Sequence, residues 1–300
     1  MDEREIWGLK MTLITSPESI LDITITAMQN TEDRRLKTLV SSLTKHLHQF
    51  VLENQLTELE FERALQFIVG IGQATGKNTN EVVLAADILG VSSLVSTINN
   101  LDLDLDGGSY AALLGPFWRK NAPLCSWGEN ISRTDLGGQA MEVRGRIVDE
   151  AKQPVIGAVV DVWHSSPVGF YENQDERQED MNLRGRFETN ENGEFFFTTI
   201  RPSGYPVPTN GPCGELLRAQ KRHPNRPAHI HFMISKPGYK VLITQVFDST
   251  DENLESDPVF GVSKQLVGEY LTDLATGVCK LNHSFVLQAG EMVFPAPPIP

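Results

Sequence analysis

Three hundred residues, 40% of them hydrophobic, suffice for one large domain or two of ordinary size with a sizeable core, which argues against a disordered chain. The 39 acidic side chains outnumber the 26 basic ones, and a formal charge of −13 repels phosphate backbones, making nucleic acid a poor partner. Cys125, Cys213 and Cys279 are far apart and odd in number, the start "MDEREIWGLK" lacks the basic and apolar parts of a signal peptide, and no run reaches membrane-spanning length. The expectation is a cytoplasmic protein with reduced thiols and no membrane span.

Apolar positions recur at three and four through the first hundred residues, which predicts helices. Ser16-Pro17-Glu18 is a start signal. A second helix from near Thr31 carries Leu36, Leu39, Val40, Leu43, Leu47 and Phe50 on one stripe, and a third from near Thr57 carries Phe61, Leu65, Ile68 and Ile71. A fourth follows Asn78, with Glu81 completing a capping box, and runs through Leu84, Ile88 and Leu94. "DLDLDG", from Asp102 to Gly107, has the spacing of a calcium-loop start, but the twelfth position is Leu113, which supplies no carboxylate; an acidic linker is the better reading.

Beyond about residue 106 the period becomes two. "EVRGRIVDE", "AVVDVWHS", "EFFFTTI", "HIHFMIS", "YKVLITQVF" and "SFVLQA" are short β runs separated by turn signals such as "ENGE" and "KPGY". Many strands without intervening helices predict an antiparallel sandwich. The fold class is therefore α+β: a helical part over residues 1–105, then an all-β part over 106–300 that ends in a Pro-rich extended tail.

Within "RPAHIHF", His229 and His231 fall on one face of a strand and Ile230 and Phe232 on the other. Two imidazoles aimed at one spot mean either a metal or a pair of satisfied core histidines. Tyr171 in "VGFYENQ" and Tyr205 in "SGYPVP" sit beside strand ends, where a tyrosine is commonly half-buried with a tethered hydroxyl. Taken with the histidines they form a mixed oxygen and nitrogen donor set. Anionic phenolates favour a hard trivalent ion such as ferric iron over zinc, while copper is not excluded by donor type.

With these residues the β part resembles the intradiol ring-cleaving dioxygenases, enzymes that split catechols between their two hydroxyls. "RPAHIHF" resembles that family's histidine strand, "GFYENQ" and "SGYPVP" its tyrosine segments, and "ITQVF" carries the expected glutamine. The resemblance covers nearly the whole chain. It implies one Fe(III) per subunit held by Tyr171, Tyr205, His229 and His231, with Tyr205 the ligand that leaves and helps remove a substrate proton. It also implies that Arg226 stabilises charge over the substrate ring and that Gln245 hydrogen-bonds near it. Arg226 lies three residues before His229 and would point away in an ideal strand, but Pro227 breaks the regularity. The family builds a homodimer through its N-terminal helices and holds a lipid-like molecule near that interface.

Within the family, "YENQDERQEDMNLRGRF", "GYPVP", "ELLRAQKRHPNRPAH" and "LLGPF" look like the hydroxyquinol branch. That resemblance implies aromatic catabolism: O2-dependent cleavage of hydroxyquinol to 3-hydroxy-cis,cis-muconate and, by tautomerisation, maleylacetate. A third hydroxyl needs an acceptor, because leaving it unpaired in a buried pocket costs about 1–3 kcal/mol. "LAAD" places Leu84 and Asp87 at the substrate, with Asp87 as that acceptor, and Leu113, Gly115, Pro116, Val207, Pro208 and Val259 as walls. The alternatives are a catechol or chlorocatechol enzyme, or a transthyretin-like binding module suggested by "GRIVDEAKQPVIGAVVDV". His164 and His223 receive no role.

Overall fold

In a computed structural model the chain is described over residues 13–76, 79–100 and 109–298, so the acidic linker, residue 78 and the extreme N-terminus lie outside the described residues. The helices are α1 (Ser19–Ala27), α2 (Arg34–Asn54), α3 (Glu58–Ala74), α4 (Glu81–Ile88) and α5 (Val91–Asn99). Asp33 caps α2 by accepting from the amides of Arg35 and Leu36, a start signal that the sequence reading placed at Thr31. Asn80 caps α4 through the Val83 amide; the capping box expected between Asn78 and Glu81 falls on a residue outside the described ones, and Glu81 Oε1 accepts from the amide of Cys213 at 2.9 Å. The expected fourth helix is two helices. Gly90 adopts φ +73°, a left-handed turn that costs glycine nothing, and α4 and α5 diverge by 77°. No single helix among the described residues is long and apolar enough to cross a membrane.

Two compact units emerge, one through Phe67 and one from Ile68 onward. In the second unit α4 packs on α6 (Pro212–Ala219), and Ser93 on α5 donates to the carbonyl of Val259, so these helices group with the strands although their period is helical. The expected division near residue 105 follows the change of period. The compact units divide earlier, inside α3.

The strands are β1 (Ala140–Asp149), β2 (Val159–His164), β3 (Arg184–Glu188), β4 (Glu194–Ile200), β5 (Tyr205–Pro206), β6 (Asn225–Arg226), β7 (His229–Ser235), β8 (Leu242–Asp248), β9 (Val267–Gly268), β10 (Leu271–Thr272) and β11 (Cys279–Leu287). One sheet has the order β10-β11-β1-β4 and the other β3-β2-β7-β8-β9. The sandwich is mixed rather than wholly antiparallel. β1 pairs parallel with β11 and β8 with β9, which the long connections between those partners allow.

Alternation fixes the core. Phe195 and Phe197 on β4, Val160 and Val162 on β2, Ile230, Phe232 and Ile234 on β7, and Phe285 and Leu287 on β11 share one apolar cluster between the sheets. The other face of β7 is thereby turned outward under a second cluster that includes Phe117, Trp163, Tyr171, Tyr205 and Met233. That outer layer holds the site.

Candidate active site

β7 presents His229 and His231 on its outer face, both 1% exposed, with their Nε2 atoms 3.1 Å apart. His229 Nδ1 donates to the carbonyl of Pro227 at 2.7 Å, which leaves Nε2 with its lone pair. Burial, then the nearby Arg226 charge, pushes the His229 pKa down to about 3. Burial, then His229 itself, holds His231 well below the usual range, so both rings are neutral donors. His231 is oriented by stacking. Its ring lies on Trp163, centroids 4.6 Å apart and planes 9° from parallel, and its Nδ1 has no hydrogen-bond partner among the described residues. Gly115 approaches from the other direction. A Cβ there would stand 3.2 Å from His231 Cε1, and its φ of +73° already disfavours any side chain.

The tyrosines close the group. Ring centroids are 5.3 Å apart for Tyr171 and Tyr205, 5.6 Å for Tyr205 and His229, 4.7 Å for the two histidines and 6.5 Å for His231 and Tyr171. Tyr171 opens a short 3-10 turn, Glu172–Gln174, where Gln174 Oε1 accepts from its amide. Glu172 accepts from Arg184 at 2.6 Å and from Arg119 at 2.9 Å, and Phe117 stacks on the Tyr171 ring at 4.5 Å. Among the described residues Tyr171 Oη is buried without a hydrogen-bond partner, and burial followed by the neighbouring Tyr205 raises its pKa well above that of a free phenol. Such a neutral, unpaired hydroxyl is costly unless something binds it.

Among the described residues no three His, Cys, Asp or Glu side chains gather to hold a metal. A metal at this place would have to use both tyrosines and both histidines, and the orphaned Tyr171 hydroxyl and the converging imidazole nitrogens fit one. These four residues, expected from the sequence as a donor set, are brought together.

Arg226 reaches the same place because it does not belong to β7. It lies on β6, paired with Tyr205 on β5, and Pro227 separates it from the histidine strand. Its Nη1 sits 3.4 Å from Tyr205 Oη and 3.4 Å from His229 Nε2. Gln245, opposite His231 on β8, is fully buried; its Oε1 accepts from Arg226 Nη2 at 3.3 Å and its Nε2 donates to the Leu113 carbonyl at 2.5 Å. Both amide atoms are thus engaged by the protein.

Above this group a cleft of about 550 Å3, partly open to solvent, is lined by Leu84, Asp87, Leu113, Gly115, Pro116, Val207, Pro208 and Val259, the eight positions expected from the sequence, together with Tyr205 and Arg226. Thr79, Asn80, Glu81 and Phe117 line it too and were missed, although "LLGPF" ended on Phe117. Asp87 is 8% exposed; burial raises its pKa, while Ser92 and Arg226 pull it back. His164 is satisfied in the core by the Ser165 carbonyl and the Thr199 hydroxyl, each at 2.8 Å, and His223 accepts from the Asn225 amide.

Residues 113–289 match the protein family described as Dioxygenase, and residues 33–102 match the family described as Catechol dioxygenase N terminus. The chain belongs to the intradiol dioxygenases. Hydroxyquinol 1,2-dioxygenase of Rhizobium sp. is 41% identical to this dioxygenase over 84% of the chain and 85% of that protein. Catechol 1,2-dioxygenase of Candida albicans is 37% identical over 78% and 77%. The crystal structure of hydroxyquinol 1,2-dioxygenase from Pseudomonas putida DLL-E4 superposes with a TM-score of 0.85 at 38% identity, covering 91% of this chain and 99% of that one. Membership of this family carries a metal cofactor and an aromatic substrate cleaved with O2, so a binding module without chemistry is set aside.

Proposed function

We propose that this dioxygenase cleaves hydroxyquinol with O2 between its two adjacent hydroxyl-bearing carbons, giving 3-hydroxy-cis,cis-muconate and then maleylacetate. The observation that carries this reading is Asp87, a buried carboxylate that lines the cleft with Leu84, Leu113, Val207 and Val259, whereas the other carboxylate there, Glu81, is engaged by the Cys213 amide. Relatives that bear the hydroxyquinol name support it.

Tyr171, Tyr205, His229 and His231 would hold Fe(III), which when bound supplies Lewis acidity to the diol and an electron acceptor for its ring. Leu84, Leu113, Pro116, Val207 and Val259 enclose the ring and limit access of water. Tyr205 Oη takes a proton from the substrate diol, and Arg226 Nη1 beside it stabilises negative charge on the substrate oxygen. Gln245 holds the guanidinium edge and the Leu113 wall together. Asp87 accepts the third hydroxyl. The proposal extends to assembly and place: a homodimer formed through the N-terminal helices, a lipid-like molecule beside that interface, and a cytoplasmic setting in which the buried thiols of Cys125, Cys213 and Cys279 stay reduced.

The test is turnover of hydroxyquinol against catechol by the wild type and by Asp87→Ala, on purified protein whose phenolate-to-iron charge transfer makes it red-brown. The wild type should prefer hydroxyquinol and the variant should lose roughly tenfold of that preference, about 1.4 kcal/mol. Faster catechol turnover by the wild type would move the chain to the catechol branch, and a colourless iron-replete protein would remove the tyrosines from the ligand set.

A further inference from the structure

Arg226 is 3% exposed, and its orientation is set by a carboxylate that lies outside the cleft. Asp257 grips one edge of the guanidinium in a fork: Oδ1 accepts from Nε and Oδ2 from Nη2, both at 3.1 Å. That leaves Nη1 as the end facing Tyr205 Oη and His229 Nε2. Asp257 is itself held. Its Oδ2 accepts from the Gly261 amide at 3.0 Å and its Oδ1 from the Val259 amide at 3.4 Å, within a loop where Phe260 takes a left-handed φ of +55°. A Cβ at Gly261 would stand 2.9 Å from Arg226 Nη2, so the loop also fits the guanidinium closely.

Across the cleft stands the second carboxylate, Asp87, which feels the charges of both Arg226 and Asp257. A guanidinium has a second forked edge, Nη1 with Nη2, but here Nη2 also donates to Gln245 Oε1 and Nη1 faces Tyr205 and His229, so with Asp257 in place neither edge is left for Asp87.

We propose that Asp257 is the positioning residue of this site: it aims Arg226 Nη1 at the reacting oxygen beside Tyr205 and keeps the guanidinium from pairing with Asp87, leaving Asp87 open to the third hydroxyl of the substrate. This rests on the reading of Asp87 given above. It makes Asp257 a determinant of rate through Arg226 and of substrate preference through Asp87, although it touches no substrate atom.

Asp257→Asn keeps the shape and an acceptor oxygen for the loop amides but removes the charge that holds Arg226. Measured at matched iron content, it should lower kcat on both hydroxyquinol and catechol by roughly tenfold or more, the scale of a charged hydrogen bond, with little change in KM for catechol. It should also erode the hydroxyquinol preference, and in an Asp87→Asn background it should erode it no further, a non-additivity that general loosening of the fold would not produce. Gly261→Ala pushes on Nη2 while keeping every charge and should shift both quantities in the same direction, which covers the case in which Asp257→Asn does not fold. A folded, iron-replete Asp257→Asn enzyme with unchanged kcat on both substrates overturns the proposal, as do additive losses of preference in the double variant. If Asp87→Asn alone leaves the preference intact, the Asp87 reading fails instead, and kcat on catechol still decides whether Asp257 aims Arg226.

Discussion

Two tyrosines of the same chemical type meet different surroundings, and their variants should part accordingly. Tyr171 is stacked under Phe117, its turn is anchored by Glu172 to Arg184, and its hydroxyl has no hydrogen-bond partner among the described residues. Tyr205 lies in a two-residue strand and its hydroxyl already has Arg226 beside it. Tyr171→Phe should therefore lose bound iron by more than about tenfold, since even losing a group behind a metal ligand costs about 10–100-fold in affinity. Tyr205→Phe should keep more iron and instead slow the substrate-deprotonation step. Iron assay and pre-steady-state absorbance on the two variants check this; equal iron loss in both would deny Tyr205 its separate role. The sequence exposed these donors because strand alternation and an unusual HxH pattern survive in one dimension. Asp257 stayed hidden, for "SDPVF" reads as an ordinary Asp-Pro turn until the fold carries it to Arg226, 31 residues away.

Elements show the same division between local and long-range information. The runs "EFFFTTI" and "HIHFMIS" coincide with β4 and β7, because period and β-branched or aromatic content are local properties. β3, β5, β6, β9 and β10 were not read from sequence; four of them are two-residue pairings that exist only because distant segments meet. The break at Gly90 was legible in principle as a glycine within a helical pattern. What holds α4 over the cleft was not. Arg222 donates from Nη1 to the Ile88 carbonyl at the end of α4, at 2.8 Å, and from Nη2 to the Pro258 carbonyl, at 2.6 Å, while its guanidinium lies 4.9 Å from the Phe260 ring. One side chain thus clasps the helix that carries Leu84 and Asp87 to the loop that carries Val259. Arg222→Ala should cost about 2 kcal/mol, since charged hydrogen bonds contribute about 1.5–3 kcal/mol each and this one is partly exposed. KM for hydroxyquinol should rise several-fold with kcat little changed, because the walls move and the donor group does not. Thermal denaturation and steady-state kinetics read the two effects separately; an unchanged KM would free the cleft from this clasp.

At the scale of the whole molecule, the unsatisfied requirement is apolar surface. Leu36, Leu39, Leu43, Leu47 and Phe50 on α2 are each half or more exposed, as are Phe61 and Ile68 on α3. These side chains belong to the stripes that the helical period of the sequence lays out. A helix with so regular an apolar stripe ordinarily buries it, and a contiguous exposed patch of this kind marks an association surface. A second copy of the chain is the simplest cover, because the same stripe on both copies makes a self-complementary two-fold contact. The acidic charge of −13 does not oppose this locally, since α2 carries the basic side chains Arg34, Arg35, Lys37 and Lys45 against a single carboxylate, Glu53. Sedimentation at micromolar concentration should give a dimer. Leu43→Asp, which sets two like charges against each other across the axis, should shift it to monomer while leaving the far-ultraviolet spectrum and iron content of the sandwich unchanged, because its core between the two sheets draws no residue from α2. A monomeric wild type would leave the stripes for another partner, and a Leu43→Asp dimer would move the interface elsewhere on the helices.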